Sequence, residues 1–268
     1  MPSCELVICR DMDALASRVA DATIRCACDA TRSRGCFTVA LSGGSAAEKT
    51  YAALAQPDRA RAIDWARTRV FFADERFVPR DDPRSNYLLA ERSLLAHVPI
   101  PPAQVVPVPV RAKTPDEAAA LYAGELARFC CTGDPLVLAG LDLIVLGMGE
   151  DGHTASLFPG ALALQVDDTW VTWSPPGTLP PSVDRITLTY PALNAARHVF
   201  FVVAGEHKAP ALREVLQGKP DPRKCPAAGV RPKVGTVTWF VDEDAARLLT
   251  IAAGTMAVGE GYRKRTWP

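Results

Sequence analysis

The chain has 268 residues, and its 30 Lys+Arg balance 30 Asp+Glu, so the formal net charge is zero; 48% of residues are apolar and 22% charged. These are the proportions of an ordinary soluble globular protein; the length suits one large α/β domain or two small ones with a substantial core, and the balanced charge argues against a nucleic-acid partner held by counterion release. The longest apolar stretches, residues 141–147 and 199–204, fall far short of the roughly 20 residues of a membrane helix, so no membrane partner is expected. In chain order, the opening MPSCELVICRDMDAL is broken by Glu5, Asp11 and Asp13 and predicts no secretory signal. A cytoplasmic location is the expectation. The eight cysteines fit it, being scattered, without a C-x-x-C pair or zinc-like spacing to histidine.

Strands are predicted over 5–9, 37–41, 69–73, 141–146, 185–189, 199–203 and 236–241. Several are continuous apolar runs (LIVL, VFFVV), as expected of parallel strands buried on both faces. A helix over 12–31 follows the first strand. Ser45-Ala-Ala-Glu48 reads as a capping box opening the next, and Thr114-Pro115-Asp116-Glu117 as another with Pro at the first helical position. Ser85 is placed to open a helix over 86–97, and Asp242 to cap one over 245–251. This alternation predicts one domain, residues 1–268: a doubly wound, mostly parallel sheet with helices on both faces, a Rossmann-like three-layer sandwich. Pro-rich stretches at 98–110, 174–184 and 218–235 read as long loops, the last as a lid.

In such a sheet ligands bind beyond the carboxyl ends of the strands, and four of those ends carry unusual residues. Ser42-Gly43-Gly44-Ser45 runs into a helix, a turn whose exposed amides suit a phosphate; alone it is equally a plain turn. No Walker lysine follows it. Asp74-Glu75-Arg76 offers a planar guanidinium for bidentate phosphate contact, although isolated charges of this kind more often make surface ion pairs. Gly147-Met148-Gly149-Glu150-Asp151-Gly152-His153 contains G-x-G-x-x-G, but Pro159 follows too soon for the long helix of a dinucleotide site. The glycines instead bend the chain so that Asp151 and His153 face the cleft, His153 exchanging protons near neutral pH. Lys208 falls in the first turn of a helix, where the macrodipole disfavours a cation unless an anion binds. Arg231, Lys233 and His207 are reserve candidates.

The runs LSGGSAAEKTY, FFADERFVPRDDPRSNYLLA, DLIVLGMGEDGHTASLFPG and VFFVVAGEHKAPALREVL, in this order across nearly the whole chain, resemble the 6-phosphogluconolactonase family. RITLTYPALNAARHVFF and TVTWFVDEDAARLL fit it too. The resemblance implies hydrolysis of 6-phospho-D-glucono-1,5-lactone, the second step of the oxidative pentose phosphate pathway, without cofactor or metal. It implies His153 as general base, with Asp151 orienting it. Arg76, Lys208 and the amides of Gly43, Gly44 and Ser45 would hold the phosphate, and Asp74 and Asn86 would help to bind substrate. Direct attack by water is preferred to a nucleophilic Ser156 or Ser45, neither of which sits in G-x-S-x-G, and amides of the Gly-rich turn are expected to receive the oxyanion. Alanines at 227–228 stand where the family pattern carries a polar residue. The partner implied is a small phosphosugar lactone, and a monomer is expected. Two other readings are a glucosamine-6-phosphate deaminase-like isomerase and a phosphosugar-binding protein without catalysis.

Overall fold

The apolar runs become the strands of a central sheet. The structure is a computed structural model and describes residues 4–130, 140–178, 180–250, 256–257 and 262–267. The strands are β1 (Cys4–Cys9), β2 (Phe37–Leu41), β3 (Thr68–Phe72), β4 (Asp74–Arg76), β5 (Leu143–Leu146), β6 (Val171–Ser174), β7 (Arg185–Leu188), β8 (His198–Val203), β9 (Thr236–Asp242), β10 (Met256–Ala257) and β11 (Tyr262–Trp267). The helices are α1 (Met12–Arg34), α2 (Ser45–Leu54), α3 (Pro57–Ala60), α4 (Asn86–Ser93), α5 (Pro115–Cys130), α6 (Tyr190–Ala195), α7 (Ala209–Gln217) and α8 (Glu243–Ala246).

The main sheet has the order β10-β11-β1-β9-β8-β5-β2-β3. From β1 to β3 its neighbours are parallel, which gives the doubly wound α/β class. β10 and β11 add an antiparallel edge to β1. Every residue of β5, and all of β8 after His198, is buried, as a strand covered on both sides requires. Phe201 stacks on Trp239 of β9 at 3.8 Å between ring centroids, and burying such side chains contributes about 1.5–3 kcal/mol each.

Two features correct the sequence reading. The strand predicted at 185–189 lies outside the main sheet: β7 pairs antiparallel with β4 and β6 in a separate three-stranded sheet. Ala73 joins the two sheets, its N–H donating to Leu41 O (2.7 Å) and its carbonyl accepting from Leu188 N (2.8 Å). The Ser45–Glu48 capping box does not form. Gly44, at φ 103°, takes the N-cap position of α2, and no side chain caps that end; Ser45 becomes the first helical residue, from which its hydroxyl does not cap the open amides of the first turn.

Other caps form as the residue types dictate. Asp11 accepts from Ala14 N at 2.8 Å to start α1, and Gly35 ends it in the left-handed region. Ser85 accepts from Leu88 N (3.3 Å) at α4, and Asp242 from Ala245 N (2.8 Å) at α8. Thr114 Oγ1 takes the Glu117 N–H (3.1 Å), while the Glu117 carboxylate reaches Lys113 N (2.8 Å), one residue beyond the expected capping box. α4 is shorter than predicted and passes into a 3-10 turn at Leu95–His97. The helix predicted over 245–251 is the short α8, and residue 251 lies outside the described residues. Cys4, Cys9, Cys26, Cys28, Cys36 and Cys225 are free thiols, and no helix among the described residues is long and apolar enough to cross a membrane.

Candidate active site

β8, β5, β2 and β3 are consecutive in the sheet, so the four unusual strand ends do share one edge. The chain leaves β2 toward β3 on one side and β5 toward β8 on the other. The crevice between β2 and β5 is therefore the place where connections diverge and ligands bind in open sheets. A cavity of about 260 Å³ opens there, lined by Gly43, Gly44, Ser45, Asp74, Arg76, Asn86, His153 and Lys208. Of the predicted site residues only Asp151 is absent from the lining; it stands behind His153.

The turn after β5 is built around that pair. The Gly149 N–H donates to His153 O (2.8 Å), the Gly152 N–H to Gly149 O (3.1 Å), and Thr154 Oγ1 to Gly147 O (2.8 Å). Gly149 is required by space, since a Cβ there would lie 2.1 Å from His153 Nδ1 and 2.4 Å from Asp151 Oδ1. Ala155 holds a positive φ of 47°, a strain that functional turns tolerate when their surroundings fix them. Asp151 Oδ1 sits 2.6 Å from His153 Nδ1 and accepts the His153 backbone N–H as well (3.1 Å). Burial pushes the Asp151 carboxyl up, but the bonds and charge of His153 outweigh it and hold its pKa below the ordinary value. An ionised Asp151 fixes the tautomer: Nδ1–H donates to it, and Nε2 keeps a lone pair. The ring packs against Phe158 at 4.9 Å between centroids.

The opposite wall comes from β4 and α4. Glu75, 2% exposed, accepts the backbone N–H groups of Arg76 (2.7 Å), Asn86 (2.7 Å) and Tyr87 (2.8 Å) and the Ser85 hydroxyl (3.1 Å). Burial raises its pKa in spite of these donors. One carboxylate thus fastens the start of α4 to β4 and sets the positions of Arg76 and Asn86. Asn86 Nδ2 donates to Asp74 O (2.9 Å), and Ser156 Oγ to Asp74 Oδ2 (2.7 Å). Asn86 Oδ1 would lie 1.9 Å from a Cβ at residue 43, which is why glycine stands there. Glu75→Gln keeps the shape but turns an acceptor into a donor facing N–H groups. It should cost about 1–3 kcal/mol, read as a lower midpoint in thermal or urea unfolding.

Several polar atoms around the cavity are buried without a partner: Ser42 Oγ, Arg76 Nε, Asn86 Oδ1 and Asp151 Oδ2. Such atoms are rare in a finished core and collect where a ligand completes the bonding. Arg76 spends Nη1 on Arg84 O (2.5 Å). Lys208 ends a 3-10 turn after β8, and the turn is held because Asp242 accepts the Gly205 N–H at 3.0 Å. Burial holds the Lys208 pKa below the ordinary lysine value, against the charges of Glu150 and Asp151. Among the described residues no group of three or more His, Cys, Asp or Glu side chains is arranged to hold a metal ion.

A family model described as glucosamine-6-phosphate isomerases/6-phosphogluconolactonase matches residues 10–239. The chain belongs to that family. A 6-phosphogluconolactonase of Nostoc sp. is 39% identical over 241 residues, 90% of this chain and 96% of its own. That of Homo sapiens is 41% identical over 242 residues, 89% of each chain. The structure of 6-phosphogluconolactonase from Trypanosoma cruzi matches with a TM-score of 0.78 at 29% identity, covering 92% of this chain and 97% of the other.

The reserve candidates divide at the cavity. Arg231 and Lys233 do not line the cavity; Arg231 Nε donates to Ala228 O (2.8 Å). His207 does line it. The 218–235 loop is no lid where it meets the site. Its buried turn Pro226–Gly229 lies under the dyad turn, with Ala227 N–H donating to Gly152 O (2.9 Å) and Arg223 O accepting from Gly160 N (2.8 Å). Amides of the Gly-rich turn are the expected oxyanion donors; within that turn those of Gly149 and Gly152 are spent on its own carbonyls. Sequence reasoning missed Glu75 as an anchor because its partners are backbone amides, which leave no mark on the sequence.

Proposed function

We propose that this chain hydrolyses 6-phospho-D-glucono-1,5-lactone to 6-phospho-D-gluconate, the second step of the oxidative pentose phosphate pathway. The observation that carries the reading is the meeting, in one cavity, of an Asp-oriented imidazole with two cations and an uncapped helix start. The relatives at 39% and 41% identity, both 6-phosphogluconolactonases, support a sugar lactone as the substrate.

Arg76 and Lys208, with the amides of Gly43–Ser45 at the start of α2, hold the 6-phosphate; the positive end of the helix adds to the attraction. His153 Nε2 takes a proton from water as the water oxygen attacks the lactone carbonyl carbon. The tetrahedral intermediate collapses by breaking the bond to the ring oxygen, and the imidazolium returns its proton to that oxygen. The resulting acid ionises at neutral pH. Asp151 stays ionised throughout and stabilises the imidazolium. Asp74 and Asn86, locked to one another, position the sugar. The reading takes the chain, 1–268, as a single domain acting as a cytoplasmic monomer without cofactor or metal.

The test is a rapid assay on lactone generated enzymatically in place, corrected for spontaneous opening. Turnover at a typical enzymatic rate supports the reading; binding without turnover, or ammonia release from glucosamine 6-phosphate, overturns it. Lys208 supplies a pH prediction. Its lowered pKa means that the ammonium, and its grip on phosphate, is present at neutral pH and lost as pH rises through a value below the ordinary lysine range. KM should climb on the alkaline side, while Lys208→Arg, charged throughout, should remove that limb; a flat KM in the wild type contradicts the role.

A further inference from the structure

The sheet has a second polar recess at its other end. Under a helix, the inner face of a parallel sheet is ordinarily apolar, yet the first halves of β1, β9 and β8 carry Glu5, Thr236, Thr238 and His198 there. The registers Glu5↔Thr238, Thr238↔Phe200 and Thr236↔His198 set them side by side. With residues of α1, including Arg18, Arg25 and Asp29, they bound a cleft of about 360 Å³, a volume within the range of small-molecule sites. Thr238 is 7% exposed and lines the cleft, and its hydroxyl has no hydrogen-bond partner among the described residues. Thr236 Oγ1 lies 2.8 Å from His198 Nδ1. Burial holds the His198 pKa below its ordinary value, so at neutral pH the ring brings hydrogen bonding rather than charge. Phe200 and Phe240, edge to face at 5.1 Å between centroids, supply an apolar wall.

The charges on the α1 side are unevenly committed. Asp29 is ion-paired with Arg32, and Glu5 and Arg18 are engaged in interactions of their own. Arg25 lines the cleft and is paired with no carboxylate among the described residues. The groups left to a ligand are thus the Arg25 guanidinium, the Thr238 hydroxyl where it faces the cleft, and the outer edge of the mutually bonded His198–Thr236 pair. We propose that this cleft binds a small hydroxylated anion, its carboxylate or phosphate on Arg25 and its hydroxyls on Thr238 and the Thr236–His198 pair. The site is distinct from the first. β8 runs from His198 in the cleft to Val203 at the dyad cavity, roughly 17 Å along the strand.

The test is a titration of the full chain with D-gluconate and, separately, glycerol 3-phosphate, followed by backbone amide chemical shifts. The expected result is saturable shifts at Cys26, Phe200 and Thr238, with one probe or both; response to gluconate alone identifies a carboxylate site, and to glycerol 3-phosphate alone a phosphate site. Arg25→Gln should raise the dissociation constant about tenfold, Thr238→Val should raise it with unfolding unchanged, and both variants should hydrolyse lactone as the wild type does. Shifts confined to the Gly43–Lys208 cavity, no saturable shift at the three amides, or affinity unchanged in both variants would each overturn the proposal and leave the recess a solvated gap.

Discussion

His153→Ala should lower kcat by about 10²–10⁴, the usual worth of a positioned general base, while KM changes little. The reasoning starts from the tautomer. Asp151 holds Nδ1–H at 2.6 Å, so the nitrogen left to accept a proton is Nε2, and alanine leaves water without an acceptor there. Arg76, Lys208 and the start of α2 are untouched by the change, so phosphate binding persists. Steady-state kinetics on fresh lactone reads both parameters. A variant with wild-type turnover removes the general-base assignment; a variant whose loss lies wholly in KM assigns the imidazole to binding.

Gly149→Ala should lower kcat by roughly 10²-fold or more, near the loss from deleting the base itself, although it adds only a methyl group and removes no functional group. The added carbon would sit 2.1 Å from His153 Nδ1 and 2.4 Å from Asp151 Oδ1, far inside van der Waals contact. The turn cannot retreat easily, because Gly149 N–H is bonded to His153 O and Ala227 backs the neighbouring Gly152 carbonyl. The cheapest relief is rotation of the imidazole away from Asp151, which breaks the dyad and misplaces Nε2. Gly147→Ala, in the same turn but with no atom within 4 Å of the added Cβ and no positive φ, is the steric control. Wild-type kcat in Gly149→Ala would mean that the dyad geometry does not limit the rate.

The sequence announced the site more fully than the fold. Gly43-Gly44, Asp74–Arg76, Gly147–His153 and Gly205–Lys208 each follow an apolar run, and because neighbouring strands are parallel their ends necessarily share an edge. The second sheet was hidden for the opposite reason. β4 is the three charged residues Asp74-Glu75-Arg76, without an apolar run; β6, Val171–Ser174, does alternate apolar and polar residues, but over only four positions before a Pro-rich stretch, too short a run to stand out. β11, Tyr262–Trp267, carries Arg263, Lys264 and Arg265 in succession and likewise has no apolar run. At α2, Ser45 and Glu48 have the spacing of a capping box, and the positive φ of Gly44 decides against it. A backbone dihedral, invisible in residue types, thereby leaves the amides of the first turn open toward the cavity.

The most direct measurement is a crystal structure of the full chain with 6-phosphogluconate bound. The account predicts the phosphate between Arg76, Lys208 and the first amides of α2, with the carboxyl carbon about 3–3.5 Å from the position of a water bonded to His153 Nε2. A phosphate seated elsewhere, or a carboxyl group on the far side of the cavity from the imidazole, would contradict it.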